Sequence, residues 1–303
     1  MKIAAITVTY NDGYKLEEWY NYYLEYKDEL HKIIIVDNGS ESPYLNKVKT
    51  LFSDSIIIER TVNGGMTAAY NEGIRIALAD PEIDSILLLA NDFKLEKNGI
   101  PKLYRFLMSN EHYGIVSPVV LQNNSEKVES VGCYISWSLY LKEPHVGELL
   151  SSIKQETFMV DTVAGGLNLA RRELYETIGL QDEELFMYSD EADLGLRIKQ
   201  TPYKVAVTKD MKVWHQHINP KERSIRLPYS AFLIGRNKIY LAYKHFGFLR
   251  AFLIFSLHMY KFLIGLITGI KSKEKIQFQF FFFVGSICGV LRIKKNFNFI
   301  LNN

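Results

Sequence analysis

Residues 2–11 read Lys2-Ile-Ala-Ala-Ile-Thr-Val-Thr-Tyr-Asn11. The run is apolar and β-branched until it meets Tyr10-Asn11, the pattern of a strand buried on both faces, as in a parallel sheet. Working outward, the same signal returns at His31–Val36, Ser55–Glu59 and Asp84–Leu89. Helical stretches lie between. Tyr14–Lys27 carries Leu16, Trp19, Tyr20, Tyr23 and Leu24 at helical spacing, Pro43–Phe52 is short, and Met66–Ala79 follows the turn Asn63-Gly64-Gly65. The β-α-β-α-β-α-β order predicts a parallel sheet with right-handed crossovers. Such sheets bind ligands outside the carboxyl ends of their strands. Thr9-Tyr10-Asn11, Asp37 and Asn91-Asp92 fall at those ends.

The second half is mixed. Ile115–Val119, Lys127–Ile135, Phe158–Val163, Tyr203–Val207 and Lys212–His215 read as strands, and Glu173–Ile178 as a helix ended by Gly179. Beyond Pro228 the pattern changes to long helices, Tyr229–His245, Phe248–Ile270 and Ile276–Leu291. The expected organisation is an α/β domain over 1–225, with halves 1–95 and 96–225, and a helical region over 226–303.

Composition narrows the function. A net charge of +2 over 303 residues gives no global field for nucleic acid. Cys133 and Cys288 lie far apart, match no metal spacing and read as reduced thiols of a cytosolic setting. The apolar N-terminus is too short for a secretory segment and reads as a first strand. From Lys238 to Lys295 the only acidic residue is Glu274, and the stretch is rich in Phe, Leu and Ile. A basic, apolar tail points to a membrane surface. Ala251–Ile270 is about long enough to span but contains His258 and Lys261, which favours helices lying in the plane of the membrane. A helical dimer interface is the alternative.

Three groups of residues carry candidate chemistry. Asp37 and Asp92 at strand ends suit ribose hydroxyls or a hard cation, and equally suit turns. The Asn63-Gly64 turn suits a phosphate at a helix start, or simply a tight turn. In Ser189-Asp-Glu-Ala-Asp-Leu-Gly-Leu-Arg197, Asp190 and Asp193 share a helix face while Glu191 points about 100° away. Asp190 suits a cap, Glu191 suits base chemistry, and Asp193 pairs with Arg197 at i+4 or with acceptor hydroxyls. His215 and His217 alternate as strand neighbours and suit a metal or a diphosphate.

Together these pieces resemble the family 2 glycosyltransferases of GT-A fold, especially bacterial polysaccharide enzymes of the rhamnosyltransferase type. The matching segments are Ile6-Thr-Val-Thr-Tyr-Asn11, Ile35-Val-Asp-Asn-Gly-Ser40, Asn63-Gly-Gly65 with Asn71-Glu-Gly-Ile74, Leu87-Leu-Leu-Ala-Asn-Asp92, Gly165-Gly-Leu-Asn-Leu-Ala-Arg-Arg-Glu173 and Ser189–Arg197. The resemblance spans about residues 1–240. It implies an inverting transfer from a nucleoside-diphosphate sugar, UDP- or dTDP-linked, to a glycan. The lipid-linked form of the acceptor, and a site at the cytoplasmic face of the membrane, are expected from the basic, apolar tail, with homo-oligomerisation left open. Implied donor contacts are Thr9, Tyr10, Asn11, Asp37, Asn63, Gly64, Asn71, Asn91, Asp92, Gly165, Gly166 and Arg171. Glu191 matches the general base, with Asp190 and Asp193 beside it. Asp92 and His215 match ligands of a divalent cation, Mg2+ or Mn2+, while Ala90 stands where the family's first metal carboxylate usually does. Two other classes use similar features. A sugar-phosphate nucleotidyltransferase is opposed by the short, acidic Tyr10-Asn-Asp-Gly-Tyr14 loop. A non-catalytic membrane adaptor is opposed by the retained acidic cluster.

Overall fold

The computed structural model describes residues 1–163, 165–216, 220–267 and 272–293. It divides into two compact units. The first comprises 1–135, 141–181 and 194–217, and the second 136–140, 182–193 and 218–303. The division is therefore not a single cut near residue 225. Two short segments of the α/β half cluster with the C-terminal helices.

The first unit contains β1 (Ile3–Thr9), α1 (Leu16–Tyr26), β2 (Lys32–Asp37), α2 (Ser42–Leu51), β3 (Ile56–Glu59), α3 (Gly65–Ala79), β4 (Ser85–Leu89), β5 (Phe93–Leu95), α4 (Gly99–Met108), β6 (Tyr113–Gln122), β7 (Val128–Ser130), β8 (Tyr134–Ile135), β9 (Leu141–Lys142), β10 (Thr157–Val160), β11 (Leu167–Arg171) and α5 (Arg172–Ile178). The C-terminal end of α6 (Asp190–Ile198) and all of β12 (Lys204–His215) complete it. The main sheet runs β10-β12-β6-β11-β4-β1-β2-β3, with β5 on β12 and β7 on β6. β4, β1, β2 and β3 are parallel, whereas β11 enters antiparallel to β4 and β6. The two short strands expected at 203–207 and 212–215 form one strand, β12, irregular between Thr208 and Lys212.

Alternation along β1 explains the layers. Ile3 and Ala5 pack on the face covered by Trp19, Tyr23, Phe52 and Leu103. Ala4, Ile6 and Val8 pack on the other, against Ala69, Ile74 and Ala77 of α3. Each fully buried aliphatic side chain contributes about 1.5–3 kcal/mol. Helix α3 lies close to the sheet because Gly73 has no Cβ. One built there would stand 2.4 Å from Ile6 Cγ2. Asn71, on the same helix, is fully buried. Its Nδ2 donates to the Gln181 carbonyl and its Oδ1 accepts from the Gln181 N–H, both at 2.9 Å.

The second unit is helical. α7 (Pro220–Ile267) is two helices joined at Gly247, whose φ of 81° and ψ of −177° break the turn. α8 (Lys273–Val290) packs on α7 through glycines. A Cβ on Gly235 would come 2.0 Å from the Phe282 carbonyl, and one on Gly285 the same distance from the Phe232 carbonyl.

Replacing Gly73 with Ala should cost about 1–3 kcal/mol through overpacking against Ile6. The expected result is a lowered urea midpoint with an unchanged slope; an unaltered midpoint would mean that α3 can move away at no cost.

Candidate active site

The first unit brings the strand-end residues into one hydrogen-bonded row. Parallel pairing sets Thr9 opposite Asp37, and the Asn38 N–H donates to the Thr9 carbonyl. The Thr9 hydroxyl bonds the Tyr44 hydroxyl. Asn11, at φ 51°, accepts the Glu41 N–H through Oδ1, while its own N–H donates to Ser40 Oγ. Tyr10 is exposed beside it. Asp37 is wholly buried. Its Oδ2 accepts from the Gly39 and Ser40 amides at 3.2 and 2.9 Å, but Oδ1 has no partner among the described residues. A buried acceptor left open is costly unless something arrives to fill it.

Asn38 also decides the glycine turn. Its Oδ1 takes the Gly64 N–H at 3.1 Å, and Asn63 Oδ1 takes the Gly65 N–H at 3.0 Å. Both amides that a phosphate would use are thus committed inside the protein. Asn71 likewise fastens α3 to Gln181 rather than facing a ligand. Arg171 sits at the opposite end of the strands. Because β11 is antiparallel, Arg171 pairs with Ser85 at the amino end of β4, and its guanidinium donates to the carbonyls of Leu107, Asn110 and Tyr113. Strand direction, which spacing cannot reveal, removes it from the strand-end row.

Asp92 is the electrostatic centre. Its Oδ2 lies 3.0 Å from Lys15 Nζ and 3.6 Å from His215 Nε2. His215 Nδ1 is 2.6 Å from Glu129 Oε1, and the imidazole stacks on Phe93 at 4.8 Å. Burial alone would raise the Asp92 carboxyl, but His215 and Lys15 outweigh it and hold it down to about 2. Burial would likewise lower His215, yet Asp92 and Glu129 raise it to about 9. Asn91 Nδ2 donates to Asp12 Oδ2 at 3.1 Å. The Gly166 carbonyl accepts the Ala90 N–H at 2.7 Å, which keeps Gly165-Gly166 beside this loop. Lys15, Tyr44 and Glu129 escaped the sequence reading. Lys15 stands just before α1, and only the fold puts it next to Asp92.

Asp92 Oδ2 and His215 Nε2, the expected ligands of a divalent cation, stand 3.6 Å apart, Lys15 pairs with the same carboxylate, and Ala90 offers no oxygen donor. Among the described residues, no cluster of three His, Cys, Asp or Glu side chains could hold a metal.

The acidic cluster belongs to the second unit. Phe186, Tyr188 and Ser189 approach it with φ of 63°, 66° and 64°, a left-handed backbone costly for such residues. Asn237 holds this segment, its amide donating to the carbonyls of Leu185, Met187 and Tyr188. Asp193 is buried and accepts from Lys244 Nζ at 2.7 Å and His245 Nε2 at 2.8 Å through Oδ1. Asp182 takes Lys244 and the Tyr240 hydroxyl. Burial pushes the Asp190 carboxyl up to about 6, with the Asp193 charge adding to it. Glu191, next in the chain, is half-buried. His217 lies outside the described residues.

A mixed sheet with acidic and amide side chains gathered at the ends of β1, β2 and β4 is the arrangement expected of a GT-A glycosyltransferase. The comparisons agree. The Glycosyl transferase family 2 model matches residues 4–178, more than half of the chain. The dTDP-rhamnosyl transferase RfbF of Shigella flexneri is 26% identical over 70% of this chain and 68% of its own length. The Haloferax volcanii hexosyltransferase Agl10, of low-salt glycan biosynthesis, is 24% identical over 68% of this chain and 66% of its own. Among solved structures, the mannosyltransferase PcManGT of Pyrobaculum calidifontis, in complex with GDP-Man and Mn2+, aligns at a TM-score of 0.56 and 14% identity, covering 96% of this chain and 88% of that one. GalNAc-T7, solved with UDP, GalNAc and Mn2+, aligns at 0.59 and 15% identity over 79% of this chain, which spans about half (51%) of that structure. The chain belongs to glycosyl transferase family 2, and it is a glycosyltransferase.

The raised Asp190 carboxyl has a stability consequence. A carboxyl whose folded-state pKa exceeds its unfolded value favours the fold less as pH climbs through that window. Asp190→Asn should therefore raise the melting temperature at pH 8 and leave it unchanged near pH 3.5. An equal shift at both pH values would refute the burial of that charge.

Proposed function

We propose that the enzyme transfers a hexose or deoxyhexose from a dTDP- or UDP-linked donor to a growing, lipid-linked cell-surface glycan, with inversion at the anomeric carbon. The observation that carries this reading is the open Asp37 Oδ1, buried in the same strand-end row as the Lys15–Asp92–His215 group. A carboxylate oxygen without a partner suits a base N–H or a ribose hydroxyl. Lys15 and His215 then supply positive charge for the leaving diphosphate. The names of the two curated relatives, a dTDP-rhamnosyl transferase and a hexosyltransferase of glycan biosynthesis, support the donor and acceptor classes.

In this reading Glu191 is the general base. It takes the proton of the acceptor hydroxyl as that oxygen attacks C1 and the C1–diphosphate bond breaks on the opposite side. Asp193, neutralised by Lys244 and His245, serves to fix the helix start. Glu191→Gln should lower the rate of transfer by about 100-fold or more while thermal stabilisation by the donor nucleotide persists. Turnover close to wild type would remove Glu191 from the role, and an absence of stabilisation by any dTDP- or UDP-sugar in the unmodified enzyme would overturn the donor assignment.

We infer that the enzyme attaches to the cytoplasmic face of the membrane, and the apolar surface of the second unit supports the attachment. Pro228–Leu266 is long and apolar enough to cross a membrane, yet only 22% of its most apolar window is buried. Phe248, Leu249, Phe252, Tyr260 and Leu263 are exposed, which is uncommon for a surface in water. Basic residues Lys273, Lys275 and Arg292 flank the apolar face; Lys271, Lys294 and Lys295 lie outside the described residues. Changing Phe248, Leu249 and Phe252 together to Glu should release the enzyme from anionic vesicles in a flotation assay, with donor stabilisation unaltered. Continued flotation would reject attachment through this face.

A further inference from the structure

Within the second unit, Lys238, His258 and Lys261 gather around Tyr140. Lys238 Nζ sits 2.8 Å from the centre of the Tyr140 ring, and Lys261 Nζ 4.6 Å from the same centre. His258 meets that ring edge-on at 6.3 Å. Its Nδ1 bonds Ser286 Oγ at 2.9 Å. Its Nε2 is buried with no hydrogen-bond partner among the described residues. Lys238 is 6% exposed and His258 1%. Neither lysine forms an ion pair with a described carboxylate, whereas Lys15 of the first unit pairs with Asp92.

Cation–π contact compensates the buried Lys238 ammonium only in part, because removing an ammonium from water requires a counter-charge nearby. Ser286 gives its own proton to the Phe282 carbonyl, so His258 donates through Nδ1 and its open Nε2 is an acceptor. The donors of the cluster are the two ammonium groups, the chemistry that holds a tetrahedral oxyanion. The surroundings specify what carries that anion. On the same turns as His258 and Lys261, the side chains of Met259, Tyr260 and Leu263 are exposed hydrocarbon. An anion bound here would therefore have an apolar surface beside it rather than a polar one.

We propose that Lys238 and Lys261 bind the phosphate group of a long-chain lipid phosphate, with its hydrocarbon lying along the exposed apolar face of α7. The proposal rests on the lipid-linked acceptor of the preceding reading and assigns residues to the lipid end of that acceptor. The loop that brings Tyr140 is itself fixed, since Arg250 donates to the Trp137 carbonyl at 2.7 Å. The site is thus built from a hairpin tip and two turns of helix, separate from the acidic cluster.

The test measures binding to the full-length enzyme in non-ionic detergent, using a polyprenyl monophosphate, the matching polyprenol and inorganic phosphate. The expected order is polyprenyl phosphate tighter than polyprenol by about tenfold or more, the ratio one charge-assisted hydrogen bond supplies, with inorganic phosphate far weaker. Lys238→Met and Lys261→Met should each erase most of that preference while leaving polyprenol affinity unchanged, and Lys261→Arg should keep it. Lys261 is exposed, so its variants test the site even where a change at Lys238 disturbs the fold. Equal binding of polyprenol and its phosphate by the wild type would overturn the proposal, as would a preference that survives both Met substitutions. Inorganic phosphate binding as tightly as the lipid would overturn the lipid assignment. Stabilisation by donor nucleotide is read in parallel, so that failure of the lipid site and failure of the glycosyltransferase reading remain separate results.

Discussion

The carboxylate of Asp92 is the point on which the candidate donor site depends. It is largely buried, and an unpaired charge at such depth would be expensive. Lys15 from the start of α1 and His215 from the end of β12 neutralise it, and Glu129 in turn holds His215. Four distant parts of the chain are thereby tied to one oxygen pair. Removing any cation would leave a charge uncompensated, so the loop after β1, the loop after β4 and the end of β12 are positioned together.

The second unit solves a different problem. The segment leading into the acidic helix carries three consecutive or near-consecutive residues in left-handed conformation, none of them glycine. Such a backbone persists only when the surroundings over-determine it. Asn237 does so by donating to three carbonyls, and Arg236 adds a bond to the Glu184 carbonyl. The helices beyond residue 220 therefore do more than pack on one another. They shape the segment that presents Asp190 and Glu191.

Much of this was legible in the residues. The β-branched runs announced β1 to β4, and their polar endings announced Thr9, Asn11, Asp37 and Asp92. The order of the motifs pointed to the family. What was not legible depended on strand direction and on pairs far apart in sequence. Arg171 stood in a matching motif, yet antiparallel β11 carries it to the opposite end of the strands. Asn71 and the Gly64 amide looked available for a ligand, but Gln181 and Asn38 claim them. Lys244 and His245 reach Asp193 Oδ1 from about fifty residues away, partners that helix spacing could not indicate.

By itself the sequence determined the alternation of strands and helices, because burial pattern and turn chemistry are local and periodic. It also determined which residue types stand at the strand ends, since those follow directly where each apolar run stops. Only the tertiary structure decided which charges meet. Lys15 with Asp92, Glu129 with His215, and Lys238 with Lys261 at Tyr140 are contacts across tens of residues, fixed by sheet order and helix packing. No local pattern encodes them, because each side chain is chosen for a neighbour that the chain reaches only after it has folded.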